Sequence, residues 1–145
     1  MAISLFVGCQ TVPKKTEPTT LEINPRDAEA YTNRGNAYYS KGQFDQAIAD
    51  YNKALEINPR YAEAYNNRGS AYHSKGQYDQ AIADYNTALE INPRYAEAYL
   101  NRGIAYYFKK QYDKSWENVK KAQELGYKIH PKFLEELSKA SGRER

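Results

Sequence analysis

Apolar residues in this chain recur at the spacing of amphipathic helices, in pairs of segments separated by short polar turns. In residues 62–95, Ala64 and Tyr72 share one face of a first helical segment, and Ile82 and Leu89 share one face of a second. These spacings favour helix over strand, because a strand would place apolar residues at every second position. The pattern therefore predicts a helix, a short turn and a second helix.

The same unit is present three times. Residues 28–61 match residues 62–95 at 29 of 34 positions, and residues 96–129 match them at 15 of 34. A fixed period of this length indicates one supersecondary unit stacked on copies of itself. The expected fold is all-α, an α-solenoid of three helix-turn-helix repeats closed by a capping helix. The predicted divisions are a signal-like segment and tether at 1–20, the relic turn of a partial repeat at 21–27, three repeats at 28–61, 62–95 and 96–129, and the capping helix and tail at 130–145.

Turn residues set the predicted helix boundaries. In the first repeat we expect helices at about Asp27–Lys41 and Phe44–Ile57, and a final amphipathic helix at about Pro131–Ala140. Gly42 suits the left-handed position that ends a helix. Pro59 ends the second helix, because the residue before a proline avoids the α region.

A glycine recurs in the middle of the first helix of each unit, at Gly35, Gly69 and Gly103. Glycine inside a helix costs about 0.5–1 kcal/mol relative to alanine. Its return at one register predicts a close approach of the second helix that a side chain would block.

The motif resembles the tetratricopeptide repeat (TPR) family. Its signature positions are matched by Tyr65, Gly69, Tyr72, Ala81, Tyr85, Ala88 and Pro93, and again by Tyr31, Gly35, Tyr38, Ala47, Tyr51, Ala54 and Pro59. The resemblance covers residues 28–129 and implies a right-handed solenoid whose first helices line a concave groove. Arg34, Arg68 and Arg102 stand where the family usually has leucine. They are either structural, with apolar stems packed and heads in water, or an anion-binding row.

The resemblance also implies which residues face the groove. They are Glu29, Thr32, Asn33, Asn36, Tyr39, Ser40, Glu63, Asn66, Asn67, Ser70, His73, Ser74, Glu97, Leu100, Asn101, Ile104, Tyr107 and Phe108. Within this set, the predicted partner-binding residues are Thr32, Asn33, Asn36, Tyr39, Asn66, Asn67, Ser70, His73, Leu100, Asn101, Ile104, Tyr107 and Phe108.

The groove is predicted to be asymmetric, polar over the first two repeats and apolar in the third. Leu100, Ile104 and Phe108 are spaced to form a stripe along one helical face. An exposed apolar stripe marks an interaction site, and the alternative is that the C-terminal helix or the tail covers it.

Family members that bind acidic chaperone C-termini use a two-carboxylate clamp. Asn36 and Asn67 match two clamp positions, but Thr32 and Glu97 stand where the clamp has lysines, and Asn101 where it has arginine. Without these cations a carboxylate terminus loses its charge-assisted hydrogen bonds. The sequence therefore argues against that function.

The N-terminal segment resembles the lipobox of bacterial lipoproteins, in which the signal is cut before a cysteine that is then lipidated. Leu5, Phe6 and Val7 precede Gly8-Cys9. Phe6 and the short uncharged stretch before it depart from the pattern, and the alternative is a tail with an incidental cysteine. Lipidation at Cys9 implies a membrane tether on the periplasmic side of a bacterial envelope; otherwise we expect a cytoplasmic protein.

Composition and side-chain chemistry indicate a binding protein. The net charge of +3 provides no basic footprint for nucleic acid. His73 and His130 are isolated, and the acidic residues recur at the repeat period, so we expect no catalytic set, metal or cofactor. The predicted function is a non-catalytic module that binds a partner peptide or helix in the groove, as an envelope scaffold or assembly factor. The alternative is a structural repeat that stacks into dimers or filaments through its uncapped N-terminal end.

Overall fold

A computed structural model of the protein describes residues 26–143, which form seven α-helices and no strand. The helices are α1 (Ala28–Ser40), α2 (Phe44–Ile57), α3 (Ala62–Ser74), α4 (Tyr78–Ile91), α5 (Ala96–Phe108), α6 (Tyr112–Glu124) and α7 (Pro131–Ser141). No helix in this range is long and apolar enough to cross a membrane. The signal-like segment at 1–20, with Cys9, and most of the relic turn at 21–27 lie outside the described residues.

The helices pack as three hairpins stacked side by side. α1 packs on α2, α3 on α4 and α5 on α6, and each hairpin contacts the next through α2 with α3 and α4 with α5. The first helices of the hairpins (α1, α3 and α5, the A helices) also contact one another, whereas the second helices (α2, α4 and α6, the B helices) form the outer layer. This arrangement confirms the all-α solenoid of three repeats.

Small residues and tyrosines build the core between hairpins. Ala47, Ile48 and Tyr51 of α2 cluster with Ala71 of α3, and the equivalent residues cluster at the next interface. A Cβ added to Gly35 would lie 2.6 Å from Cε1 of Tyr51. The predicted close approach at the mid-helix glycines is therefore confirmed. At Gly35 and Gly69 the closest group is an aromatic ring of the B helix, whereas at Gly103 it is Cβ of Asn118.

The turns follow the predicted residue chemistry with one exception. Gly42 and Gly76 have φ of 73° and 75°, the left-handed values expected of residues that end the A helices. In the third repeat a lysine, Lys110, adopts φ of 59° in the same turn. Asn58 is extended, and α2 ends at the residue before it.

α7 closes the C-terminal end of the stack. Leu137 is fully buried, and Nε1 of Trp116 in α6 donates a hydrogen bond to Oγ of Ser141 at 3.0 Å. Arg143 forms an ion pair with Asp113 at 2.8 Å. The contacts confirm a capping helix over Trp116, one residue longer than predicted.

Candidate functional site

The A helices line a concave cavity of about 480 Å³, which we call the groove. Its lining comes from all three repeats and consists of Asn36, Tyr39, Ser40, Tyr51, Glu63, Asn67, Ser70, Tyr95, Glu97 and Asn101. Of the predicted partner-binding residues, the groove brings together Asn36, Tyr39, Asn67, Ser70 and Asn101. The other predicted residues lie outside this lining.

A chain of asparagine side chains, the amide ladder, crosses the groove from repeat to repeat. Nδ2 of Asn101 donates to Oδ1 of Asn66 at 3.0 Å, and Nδ2 of Asn67 donates to Oδ1 of Asn36 at 3.0 Å. Nδ2 of Asn66 donates to Oδ1 of Asn67 at 3.4 Å and joins the two halves. The hydroxyl of Tyr51 also donates to Oδ1 of Asn36 at 2.7 Å. The ladder ties the three A helices together, because each amide satisfies its neighbour.

Two predicted partner-binding residues are enclosed. Thr32 is 0% exposed and donates through Oγ1 to the carbonyl of Ala28 at 2.9 Å. Asn66 is 1% exposed and serves as the inner link of the amide ladder. Both point between helices, so neither is available to a partner, and the sequence prediction is corrected for these two. Asn33 is exposed and does not line the groove.

The three arginines at the unusual signature position are structural. Arg34 pairs with both carboxylate oxygens of Asp50 at 2.7 Å, and Arg68 pairs with Asp84 at 2.8 and 2.7 Å. Hydrogen bonding to Asp84 raises the pKa of Arg68. The guanidinium groups of Arg34 and Arg68 are therefore held by carboxylates of the B helices. This pairing replaces both expectations, guanidinium groups in water and an anion-binding row. In the third repeat Arg102 meets the amide oxygen of Asn118 at 2.8 Å.

The predicted apolar stripe lies beside the groove and only its last member is well exposed. Leu100 and Ile104 are half-buried, whereas Phe108 is 50% exposed. The Phe108 ring packs back on the preceding repeat, against His73 and Tyr78 at centroid distances of 5.1 and 5.5 Å. α7 packs through Phe133 on Tyr107, the residue before Phe108.

Tyr107 and His73, both predicted to bind a partner, are held in aromatic contacts. Tyr107 packs against Phe133 of α7 with centroids 5.6 Å apart. His73 packs edge-on against both Tyr78 and Phe108. Its buried Nε2 has no hydrogen-bond partner, and burial lowers its pKa. Neither residue is among those that line the groove.

Two lining residues lie outside the set that was predicted to face the groove, whereas Ser40, Glu63 and Glu97 belong to that set but not to the predicted partner-binding residues. Tyr51 comes from α2 and Tyr95 from the turn before α5, whereas the predicted set contained only residues of the A helices. Tyr95 could have been found because it directly precedes α5 and lies two residues before Glu97, which was predicted to face the groove. Tyr51 could not, because it reaches the groove only through the space left by Gly35.

The chemistry of the groove is that of polar recognition. Its side chains are amides, hydroxyls, phenols and two carboxylates, which can hold a ligand through hydrogen bonds and charge. Among residues 26–143, no group of three His, Cys, Asp or Glu residues is placed to hold a metal ion.

Comparison with solved structures relates this arrangement to known proteins. The first TPR of Spaghetti (RPAP3), bound to the HSP90 peptide SRMEEVD, shares 26% identity with a TM-score of 0.76, over 85% of this chain and 99% of that one. The first TPR domain of human RPAP3 shares 27% identity with a TM-score of 0.77, over 82% and 95%. MamA shares 34% identity with a TM-score of 0.67, over 71% and 60%.

Family models match nearly all of the repeat region. A TPR repeat model matches residues 35–76 and 69–110, which together span more than half of the chain. Tetratricopeptide repeat models also match residues 19–49 and 96–125. With the hairpin stack and the mid-helix glycines, these matches establish that the chain belongs to the tetratricopeptide repeat family.

Proposed function

We propose that this protein is a non-catalytic interaction module that holds a segment of a partner protein in the groove. The observation that carries the proposal is the concave cavity of about 480 Å³ with a lining drawn from all three repeats. The amide ladder fixes the A helices before a ligand arrives, so little ordering is required on binding. The similar RPAP3 domain bound to a peptide supports the same use of the fold.

The polar lining of the groove and its spread over three repeats favour a peptide over a small molecule. The cavity is open along the A helices, and its polar groups are distributed over three repeats. An extended segment offers a backbone donor and acceptor at each residue, which suits repeated amide and hydroxyl side chains. In recognition of this kind, side chains that recur along regular secondary structure bind the backbone and side chains of a peptide.

Panning a peptide library on the purified domain tests the proposal. We expect random dodecapeptides displayed on phage to be enriched on the wild type. Asn101→Trp, which fills the groove, should abolish their binding. Asn33→Trp is the matched control, because Asn33 occupies the equivalent position of α1 but does not line the groove. Absence of enrichment, or equal binding by both folded variants, would contradict the proposal.

We propose the apolar stripe as a second contact surface beside the groove. Phe108 is one of two large apolar residues that are well exposed in the described part of the chain. Leu100→Asp and Ile104→Asp should weaken binding of the enriched peptides if the segment extends over the stripe. Unchanged binding would restrict the site to the groove.

Self-association is a second candidate, and a specific observation favours it. Ala71 and Ala105 are fully buried against the preceding hairpin, whereas Ala37, at the equivalent position of α1, is exposed. The outer face of α1 could therefore accept another copy. Light scattering over a concentration series tests this candidate. A monomer at all concentrations, or association unchanged by Ala37→Glu, would exclude it.

We also propose a lipid anchor at Cys9 that tethers the module to a bacterial envelope as a scaffold or assembly factor. The support is the sequence resemblance to a lipobox. Expression in a bacterium with globomycin should cause the precursor to accumulate, and Cys9→Ala should abolish detergent partitioning. A processed product that partitions equally with and without Cys9 would exclude the anchor.

A further inference from the structure

The groove carries carboxylates at the repeat period and no cation in its lining. Glu63 and Glu97 occupy equivalent positions of α3 and α5, both are exposed, and both line the groove. Glu29 occupies the same position of α1. The lining contains no Lys, Arg or His. One carboxylate per repeat therefore follows the line of the A helices.

These carboxylates are not neutralised within the described part of the chain. The salt bridges of residues 26–143 use other acids, chiefly the aspartates of the B helices. Asp50 and Asp84, for example, are fully engaged by Arg34 and Arg68. Glu63 and Glu97 are different, because neither takes part in any of these salt bridges.

Phenol rings line the same cavity, and the charges of the glutamates contribute to the raised pKa of two of them. Tyr39, Tyr51 and Tyr95 line the groove. Burial, followed by the charges of Glu97 and Glu63, raises the pKa of Tyr95 to about 12. Burial is also the main cause of the raised pKa of Tyr51, to which Glu63 contributes. Tyr51 and Tyr95 therefore stay neutral at physiological pH, and the faces of aromatic rings attract cations, as carboxylates do.

The carboxylates are the charged acceptors of the groove: Glu63 shares one hydrogen bond with the phenol of Tyr61, and a carboxylate has about four acceptor positions. Oδ1 of Asn36 accepts from both Tyr51 and Asn67, and Oδ1 of Asn66 accepts from Asn101. These amide oxygens are therefore already satisfied inside the protein. A ligand that donates several hydrogen bonds would find its partners at Glu63 and Glu97, and lysine and arginine side chains are such donors.

We propose that the groove selects a partner segment that carries lysine or arginine side chains and places them against Glu63 and Glu97. This proposal rests on the proposed function and specifies its ligand. An acidic segment would meet like charge without a compensating cation, so it is disfavoured. The chain as a whole has a net charge of +3. Attraction of a cationic segment must therefore come from the local field of the groove.

The composition of peptides enriched on the wild type tests the selection directly. We expect them to contain more lysine and arginine than the starting library, and less aspartate and glutamate. Binding of a synthetic copy of the most enriched peptide should weaken as salt is raised, because ion pairs at an open groove are screened. Enriched peptides that are acidic or neutral would overturn the selection while leaving the proposed function intact. Absence of any enrichment would overturn both.

Charge-neutralising variants locate the recognition. Glu63→Gln and Glu97→Gln should each weaken binding of the synthetic basic peptide by about fivefold. Glu90→Gln is the matched control, because Glu90 is an exposed glutamate of α4 in the outer layer and removing it changes the net charge equally. Replacing the lysines and arginines of the peptide by glutamine should remove the difference between wild type and variants. Equal affinities of Glu63→Gln, Glu97→Gln and Glu90→Gln would overturn the assignment.

Discussion

The mid-helix glycines permit a controlled test of how tightly the repeats are packed. A Cβ added to Gly69 would lie 2.7 Å from Cε1 of Tyr85, whereas one added to Gly103 would meet its nearest atom, Cβ of Asn118, at 3.2 Å. Carbon atoms in contact are normally about 3.5–4.0 Å apart. Tyr85 is 1% exposed, so its ring cannot swing into solvent. The same substitution therefore has different consequences at the two sites.

The magnitudes can be estimated separately. Alanine gains about 1 kcal/mol over glycine in a helix interior, and overpacking of a dense core costs about 1–3 kcal/mol. Gly69→Ala should lower the free energy of unfolding by about 1–2 kcal/mol, because its clash approaches the upper part of that range. Gly103→Ala should change the free energy of unfolding by less than about 1 kcal/mol, because its milder contact of 3.2 Å offsets the gain in helix propensity.

Urea unfolding followed by circular dichroism measures both variants, and a double-mutant cycle identifies the cause. Tyr85→Val, which copies the third repeat, should be destabilising by about 3 kcal/mol because it leaves a cavity. In that background Gly69→Ala should become nearly neutral, with a coupling energy of about 1–2 kcal/mol. Equal effects at Gly69 and Gly103, or an unchanged cost of Gly69→Ala in the Tyr85→Val background, would refute the packing argument.

Three further predictions concern stability. Burial lowers the pKa of His73 below its ordinary value, so the unfolded state binds more protons and stability should fall as pH drops below about 6.5; His73→Tyr should show a smaller fall in acid unfolding. Asn118→Asp should stabilise by about 1 kcal/mol in urea by giving Arg102 a carboxylate like that of the other repeats, and no gain would contradict this. Leu137→Ala should cost about 2–4 kcal/mol and, by loosening α7 from Trp116, shift Trp116 emission to longer wavelength, whereas unchanged emission would show that the docking of α7 does not depend on Leu137.

The helices were predictable from sequence because local signals agree with the fold. α2 occupies Phe44–Ile57, the predicted bounds, and Gly42 takes the predicted left-handed conformation. Repetition strengthened the prediction, since the same turn residue recurs at Gly76. These features depend on neighbours in the chain, which a sequence displays directly.

The groove was only partly predictable, because its content depends on how the A helices are rotated against one another. Thr32 and Asn66 were expected in the groove but turn into the layer between helices. Tyr51 enters it from the outer helix. The pairing of Arg34 with Asp50 is recurrent at a separation of 16 residues, a regularity that could have identified the pair.

The ion pair between Arg143 and Asp113 has a consequence for the growth of such arrays. It repeats the pairing of Lys75 with Asp45 and of Lys109 with Asp79. α7 thus stands where a fourth repeat would begin, and the cap is a shortened version of the module it terminates. A copy of residues 62–95 spliced after position 95 would find complementary surfaces on both sides. Groove length is consequently a property that gene duplication can change in whole steps, with one more glutamate at each step.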